Sequence, residues 1–171
     1  DLEKPLTSVL YPEIDNRTGK QTSSARDLPS DYRAAANFAV QYALAELWRA
    51  CGIEPSTVLG CGVGEYVAAS IAGVFSLEDG LRLAFARGLE DSSEFDERAR
   101  RISYNEPLIH LIPNSEMRAG DAAPVNTAEY WLRRSDKNTP CLAALSALAL
   151  EESVANVCIG DSAALQKLTE N

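Results

Sequence analysis

Apolar positions along this chain recur every three or four residues in several blocks, which is the spacing of helices with one buried face. The first long block begins at Ser30 or Asp31, either of which can cap a helix, and it ends before Gly52 and Pro55. Its apolar face is formed by Phe38, Tyr42, Leu44, Leu47 and Trp48. We therefore predict one long amphipathic helix in the first third of the chain.

Shorter apolar runs lie between further helical blocks, and these runs predict strands. The helices are predicted over 63–72, 76–91, 92–102 and 127–134, and the strands over 57–60, 108–112 and 154–160. Ser76 and Asp79 give the second of these helices the start of a capping box. Thr139 and Pro140 begin another helix, and a last short helix follows the third strand.

Strands that alternate with pairs of helices predict a single α/β domain over 1–171, with helices on both faces of a parallel sheet. Residues 1–30 are polar and interrupted by proline and glycine, so we expect an irregular lead-in there. Trp48 and Trp131 are expected to pack in or beside the core. No apolar stretch is long enough to span a bilayer, and no targeting leader is predicted at the start.

Charge and cysteine usage narrow the classes of partner and cofactor. The 171 residues carry a formal net charge of −9, which disfavours nucleic acid and anionic membranes as partners. Cys51, Cys141 and Cys158 lie in apolar surroundings, so we expect reduced core thiols in a cytoplasmic protein. No C-x-x-C pair occurs and His110 is the only histidine, so no metal and no cofactor is predicted.

The most distinctive motif is the glycine-rich turn "GCGVG" at 60–64, between the first predicted strand and a helix. A nucleophile elbow has the pattern G-x-S-x-G in this context, and Gly62 stands in the serine slot. Three interpretations are open: an elbow that has lost its nucleophile, an enzyme that uses the neighbouring Cys61, or a turn without chemistry. Glycine supports the sharp bend of an elbow but offers no reactive side chain.

The residues around this turn resemble a known family. The stretch "FAVQYALAELWRACGIEPSTVLGCGVGEYVAASIAGVFSLEDGLRLAFARG" is similar to acyltransferase domains of modular polyketide synthases, relatives of malonyl-CoA:acyl-carrier-protein transacylase. Shorter similarities occur before and after this stretch, in the family's order, at 5–12, 100–114, 128–134 and 154–160. The resemblance implies the large subdomain of the acyltransferase fold, a three-layer, parallel-sheet, hydrolase-like α/β unit.

By this resemblance, Gly62 stands where the family has its acylated serine, and Cys61 where it has a histidine. The family's catalytic histidine belongs to a ferredoxin-like small subdomain inserted after the equivalent of Arg87 and Gly88. Here those residues lead almost directly into the next helix, so we expect this subdomain to be missing, with its seam at 89–95. The family's opening strand, which supplies an oxyanion-hole N–H, is expected to be missing too.

Three residues are candidates for binding substrate. One of them matches a family position, and the other two begin a helix. Arg87 stands where malonyl-using members place an arginine for the free carboxylate of the extender, although a solvated or ion-paired helix arginine explains it equally. Val63 and Gly64 begin a helix whose backbone N–H groups attract anions. His110 does not match the family's catalytic histidine, and we expect a structural role for it.

The combined prediction is a pseudo-acyltransferase that acts as a structural, docking or interaction module in polyketide biosynthesis. Its expected partners are polyketide synthase domains, an acyl carrier protein or a free-standing acyltransferase, with self-association through the face left open by the missing subdomain. The alternative is an enzyme that loads malonyl-type units onto a carrier protein, using Cys61 or parts from a partner chain. A third possibility is ligand binding without reaction, through Arg87 and the helix start.

Overall fold

The fold was obtained as a computed structural model, which describes residues 5–11, 17–18, 28–89, 92–113, 123–133 and 155–160. Six helices and two strands occur within these ranges. They are α1 Leu6–Leu10, α2 Ser30–Ala50, β1 Thr57–Leu59, α3 Val63–Ile71, α4 Leu77–Gly88, α5 Ser92–Arg101, β2 His110–Ile112 and α6 Ala128–Leu132. The short helix α1 corrects the expectation of an irregular lead-in, because one turn of helix forms directly after Pro5.

The two strands form a parallel sheet, with Thr57 opposite His110 and Leu59 opposite Ile112. Helices α3, α4 and α5 lie between them in the chain, as the crossover of a parallel pair requires. The α/β class and the first two predicted strands are therefore confirmed. The third strand is not formed within 155–160, where most residues are exposed, whereas strands of parallel sheets are normally buried on both faces.

The core lies between α2, α3, α4 and α5. Phe38 and Phe95 are completely buried in it, together with the inner faces of α3 and α4. Gly80 allows α4 to approach α3 and α2 closely, because a Cβ there would lie 2.3 Å from Ser70 Oγ and 2.9 Å from Phe38 Cζ. Small residues at helix contacts thus set the spacing of the layer that carries the glycine turn.

The start of α2 differs from the prediction. Pro29 occupies the cap position and no side chain caps the helix there. The hydroxyl of Ser30 instead donates a hydrogen bond to the carbonyl of Gly88 at the end of α4. A Cβ on Gly88 would lie 2.3 Å from the Cα of Asp31, so these two helix ends are in direct backbone contact.

The start of α4 agrees with the prediction. The backbone N–H of Asp79 donates to Ser76 Oγ at 3.1 Å. The hydroxyl of Ser76 in turn donates to Asp79 Oδ2 at 2.9 Å. The cap therefore joins the two side chains to each other as well as satisfying one of the unpaired N–H groups of the first turn.

An aromatic cluster joins α3 to α6. The ring of Trp131 lies 5.3 Å from Tyr66, 5.2 Å from Phe75 and 5.0 Å from Tyr130, measured between centroids. Its indole N–H donates to the carbonyl of Val125 at 2.8 Å, and only 4% of the residue is exposed. The core position expected for Trp131 is therefore confirmed.

The outer part of α2 contradicts the sequence prediction. Trp48 is 42% exposed, and Leu44 and Leu47 are exposed with it. The buried residues of α2 are instead three alanines and two aromatic residues: Tyr32, Ala34, Ala35, Ala36 and Phe38. The helix carries apolar residues all round, so the spacing alone did not reveal which side faces the core.

Several predictions concern residues outside the described ranges. These are the helix that begins at Thr139, the last short helix, and residues 90–91 of the seam. On either side of those two residues, Leu89 follows the end of α4 and Ser92 begins α5. The part of the seam from 92 to 95 is therefore helical.

Candidate functional site

The glycine turn connects β1 directly to α3, which is the strand–turn–helix arrangement of a nucleophile elbow. Gly62 precedes the helix with φ 57° and ψ −121°. This combination lies outside the regions that residues with a Cβ adopt freely. The turn therefore holds its central residue in a conformation for which glycine is best suited.

The glycines on either side of the turn permit its tightness. A Cβ on Gly60 would lie 2.0 Å from the carbonyl oxygen of Gly64, far inside van der Waals contact. The N–H of Gly64 donates to the carbonyl of Cys61 at 2.9 Å, and the N–H of Glu65 donates to that of Gly62 at 3.2 Å. The absence of a side chain at Gly60 is therefore what allows the two ends of the turn to approach each other.

The space beside Gly62 is open. The residue is exposed, and a Cβ built on it would meet no atom within 4 Å. A side chain at this position would therefore be strained only by its backbone, with no neighbour to displace. The structure has the bend and the room for a nucleophile, while the residue itself supplies none.

Cys61 is the nearest reactive residue type, and its position is less favourable than the sequence suggested. It is exposed at the turn, but its sulfur is disulfide-bonded. A disulfide sulfur is not the thiolate that attacks a thioester. Cys51 and Cys158 are free and exposed, which corrects the expectation that they are core thiols.

The helix start offers less to an anion than predicted. The N–H of Gly64 is already used by the carbonyl of Cys61, and the half-buried side chain of Val63 packs against the core cluster. Binding of substrate by Val63 and Gly64 therefore stays a prediction, weakened by this internal hydrogen bond. The formation of the turn itself consumes one of the donors.

Arg87 lies in the last turn of α4, where it is half-buried and takes part in an interaction of its own. Its neighbour Gly88 holds this helix end against α2. Its function as a carboxylate ligand stays a prediction. His110 is exposed at the start of β2, and its backbone N–H donates to the carbonyl of Ser56 at 3.3 Å. The structural role of its side chain stays a prediction.

Sequence reasoning missed two polar side chains beside the turn. The amide oxygen of Gln41 lies 3.2 Å from the place of a Cβ on Gly64, and its nitrogen 3.6 Å from that of a Cβ on Gly160. The hydroxyl of Tyr130 donates to the carboxylate of Glu65 in the first turn of α3. For Gln41, the available signal was a lone glutamine in the apolar stretch "FAVQYALA". For Tyr130, no local sequence pattern indicated the contact.

The described residues contain neither a metal centre nor a membrane-spanning helix. No group of three or more His, Cys, Asp or Glu side chains is arranged there to hold a metal ion. In the same ranges, no helix combines the length and the apolar character needed to cross a bilayer.

The residues on both sides of the glycine turn are similar to known proteins. Residues 32–99 match the model of the acyl transferase domain family. A stretch of 87 residues, 51% of the chain, is 40% identical to the PKS-NRPS hybrid synthetase ATPKS of Aspergillus niger. A longer stretch of 135 residues, 79% of the chain, is 32% identical to the orsellinic acid synthase of Emericella nidulans. Erythronolide synthase EryA3 of Saccharopolyspora erythraea is 54% identical over 50 residues, 29% of the chain.

The chain spans a small part of each relative: 4% of the Aspergillus niger protein, 6% of the Emericella nidulans protein and 2% of EryA3. The matched residues include most of α2, the glycine turn, α3 and α4. A strand–turn–helix with elbow geometry lies at the centre of this match. Over residues 32–99 the chain is therefore similar to the acyl transferase domain family, and the relatives that it resembles include synthases of polyketides.

Proposed function

We propose that this chain is a pseudo-acyltransferase that serves as a docking or interaction module for polyketide synthase components. The observation that carries the proposal is Gly62, which has the backbone of an elbow and lacks the side chain that would be acylated. Acyl transfer by a covalent route needs a nucleophile, a base and donors for the oxyanion. The disulfide at Cys61 removes the nearest substitute for the first of these.

Retention of the surrounding structure supports a binding role. The close approach of Gly60 to Gly64 and the hydrogen bond between Tyr130 and Glu65 still hold the turn in place. A family member that keeps this framework keeps a shape that other synthase components can recognise. We accordingly propose an acyl carrier protein as the partner, because its thiol-bearing arm is what an acyltransferase elbow faces in the reaction the family performs.

The catalytic half of the proposal is tested by incubating the protein with malonyl-CoA and measuring its intact mass. The free thiols of Cys51 and Cys158 are exposed and react slowly with any thioester, so peptide mapping must locate the modified residue. We expect no acyl group on residues 60–64 of the wild type. Acylation of Cys61 or of any residue in the turn would overturn the proposal.

A matched variant shows whether Gly62 is the reason that the turn is not acylated. Gly62→Cys places a thiol in open space at the centre of the turn, and a thiol needs less help from a base than a hydroxyl. We expect this variant to be acylated at position 62 faster than at Cys51, while Gly62→Ala is not. Equal rates at both cysteines would show that the turn provides no activation.

The docking half is tested by calorimetry with a purified acyl carrier protein. Binding that is retained in Gly62→Ala and occurs without acyl transfer supports an interaction module. Failure to bind any tested carrier protein, in both its loaded and its unloaded form, would exclude this partner and overturn the docking half of the proposal.

A further inference from the structure

Three cysteines lie in the described part of the chain, and their sulfurs are in two different states. Cys61, next to the centre of the glycine turn, is exposed and disulfide-bonded. Cys51 and Cys158 are exposed and have free thiols. A thiolate attacks a disulfide sulfur and replaces one of its partners, and exposed disulfides are the more labile ones. The pairing of Cys61 is therefore open to exchange with a free thiol that can reach it.

The side chain of Gln41 lies between the glycine turn and the segment 155–160. Its amide oxygen is 3.2 Å from the place of a Cβ on Gly64, and its amide nitrogen is 3.6 Å from that of a Cβ on Gly160. Both glycines are therefore adjacent to the same carboxamide group. The carbonyl of Cys61 accepts the hydrogen bond from the N–H of Gly64. Cys158 precedes Gly160 by two residues, at most about 7 Å of chain, so its thiol lies in the neighbourhood of the turn.

Cys51 does not share this neighbourhood. It directly follows the last residue of α2 and comes ten residues after Gln41 in the sequence. Ten residues of α-helix rise by about 15 Å, which separates this thiol from the carboxamide beside the turn. Cys51 and Cys158 are both free and exposed, so Cys51 is a matched control that differs in its distance from Cys61.

The segment 155–160 can approach the turn without loss of regular structure. A disulfide brings its two Cα atoms to within about 4.4–6.8 Å of each other. Most residues of the segment are exposed and none of them forms a strand, so no ladder of backbone hydrogen bonds within it has to break. The space beside Gly62 is open, because a Cβ there would meet no atom within 4 Å.

We propose that Cys158 exchanges with the disulfide of Cys61, so that the glycine turn has two alternative disulfide states. The Cys158 thiolate attacks Cys61 Sγ and bonds to it, and the cysteine that was joined to Cys61 leaves as a thiolate and takes up a proton. One disulfide and one thiol are present before and after, so no oxidant or reductant is consumed. In the second state the segment 155–160 is bonded to the turn and covers it. The proposal does not depend on whether the turn docks a partner, since Cys61 stays oxidised in both states.

Peptide mapping of the full chain under non-reducing conditions tests the exchange. The protein is purified without reductant, brought to mildly alkaline pH, and trapped at intervals with N-ethylmaleimide. We expect peptides joined through Cys61 and Cys158 to appear within hours, at a rate that does not change with protein concentration. Absence of this pair, or a rate proportional to protein concentration, would overturn the proposal. Alkylation of Cys61 would also refute it, because the other sulfur of the disulfide would then have been attacked.

Two matched variants identify the attacking thiol. Cys158→Ser changes one exposed atom, and we expect it to abolish the new pair. Cys51→Ser makes the same change away from the turn and should leave the rate of Cys61–Cys158 formation unchanged. In the wild type, Cys61 should pair with Cys51 at least about tenfold more slowly than with Cys158, because proximity raises the effective concentration of a thiol. Equal rates for the two thiols would contradict the assignment.

Hydrogen exchange measures whether the second state covers the turn. The two disulfide forms are separated by chromatography without reductant, and exchange of the backbone N–H groups in residues 60–65 is followed by mass spectrometry. Exchange should be slower in the Cys61–Cys158 form, because the segment then shields this backbone and restrains its local opening. Equal exchange in both forms would show that the new disulfide leaves the turn uncovered, and this part of the proposal would be wrong.

Discussion

The three glycines Gly52, Gly60 and Gly62 allow the conformational demands of the turn to be measured with one substitution, glycine to alanine. Gly62 has φ 57° and open space for a Cβ. A residue with a Cβ in such a sparsely populated region costs on the order of 1–3 kcal/mol. The loss of glycine entropy in the unfolded chain offsets about 0.4–1 kcal/mol of this. We therefore expect Gly62→Ala to lower the free energy of unfolding by about 1–2 kcal/mol.

Gly60→Ala should behave differently, because its cost is steric. Its Cβ would lie 2.0 Å from the backbone oxygen of Gly64, and backbone does not rotate away as a flexible side chain does. The expected loss is more than about 3 kcal/mol, at or above the usual range for overpacked sites. Gly52→Ala is the control: φ is 86°, no atom lies within 4 Å, and the position is remote from the motif. We expect it to cost about 1–2 kcal/mol, as a left-handed residue does.

The three variants are compared by urea denaturation at equilibrium and by thermal melting. For a protein of this size, 1 kcal/mol shifts the melting temperature by roughly 2–4 °C. The order of loss should therefore be Gly60→Ala far above Gly62→Ala and Gly52→Ala. If Gly62→Ala is as stable as the wild type, the turn relaxes readily, and the argument that glycine preserves a strained elbow is refuted.

Other predictions concern the frame around the turn. Ser76→Ala should lower the free energy of unfolding by about 1 kcal/mol through loss of the α4 cap, whereas Ser76→Asp should retain most of it; equal losses in urea denaturation would contradict the cap. Burial, and secondarily the negative charge of Asp79, raises the pKa of Tyr104 above its usual value. The neutral phenol is therefore favoured in the folded state, and stability should fall as the pH rises above about 10, less so in Tyr104→Phe measured by the same alkaline titration. Trp131→Phe should remove the blue-shifted part of the tryptophan emission and Trp48→Phe the red-shifted part; the reverse assignment would contradict the burial of the two rings.

The predictions from sequence succeeded where local chemistry decides the outcome. The glycine pattern of the turn and the Ser76 cap depend on residues within four positions of each other, and both were found in the structure. The strand at Thr57–Leu59 was bounded by the same turn. Short-range patterns of this kind need no knowledge of what packs against them.

The errors arose where packing decides. Leu47 and Trp48 have the same spacing as buried residues, but the opposite face of α2 carries alanines that let α4 approach. The pairing of Tyr130 with Glu65 joins residues 65 positions apart, so neither residue marks the other in the sequence. Gln41 was overlooked because its neighbours, the turn and Gly160, come together only in the folded chain.

The contact between Gly88 and the start of α2 also predicts where this chain tolerates an insertion. The carbonyl of Gly88 is bonded to the hydroxyl of Ser30, and its α-carbon lies against the backbone of Asp31. A segment inserted before Gly88 would separate the ends of α2 and α4, which are in contact. A segment inserted after Leu89 would leave this contact in place. We therefore expect an insertion after Leu89 to lower the melting temperature less than the same insertion before Gly88.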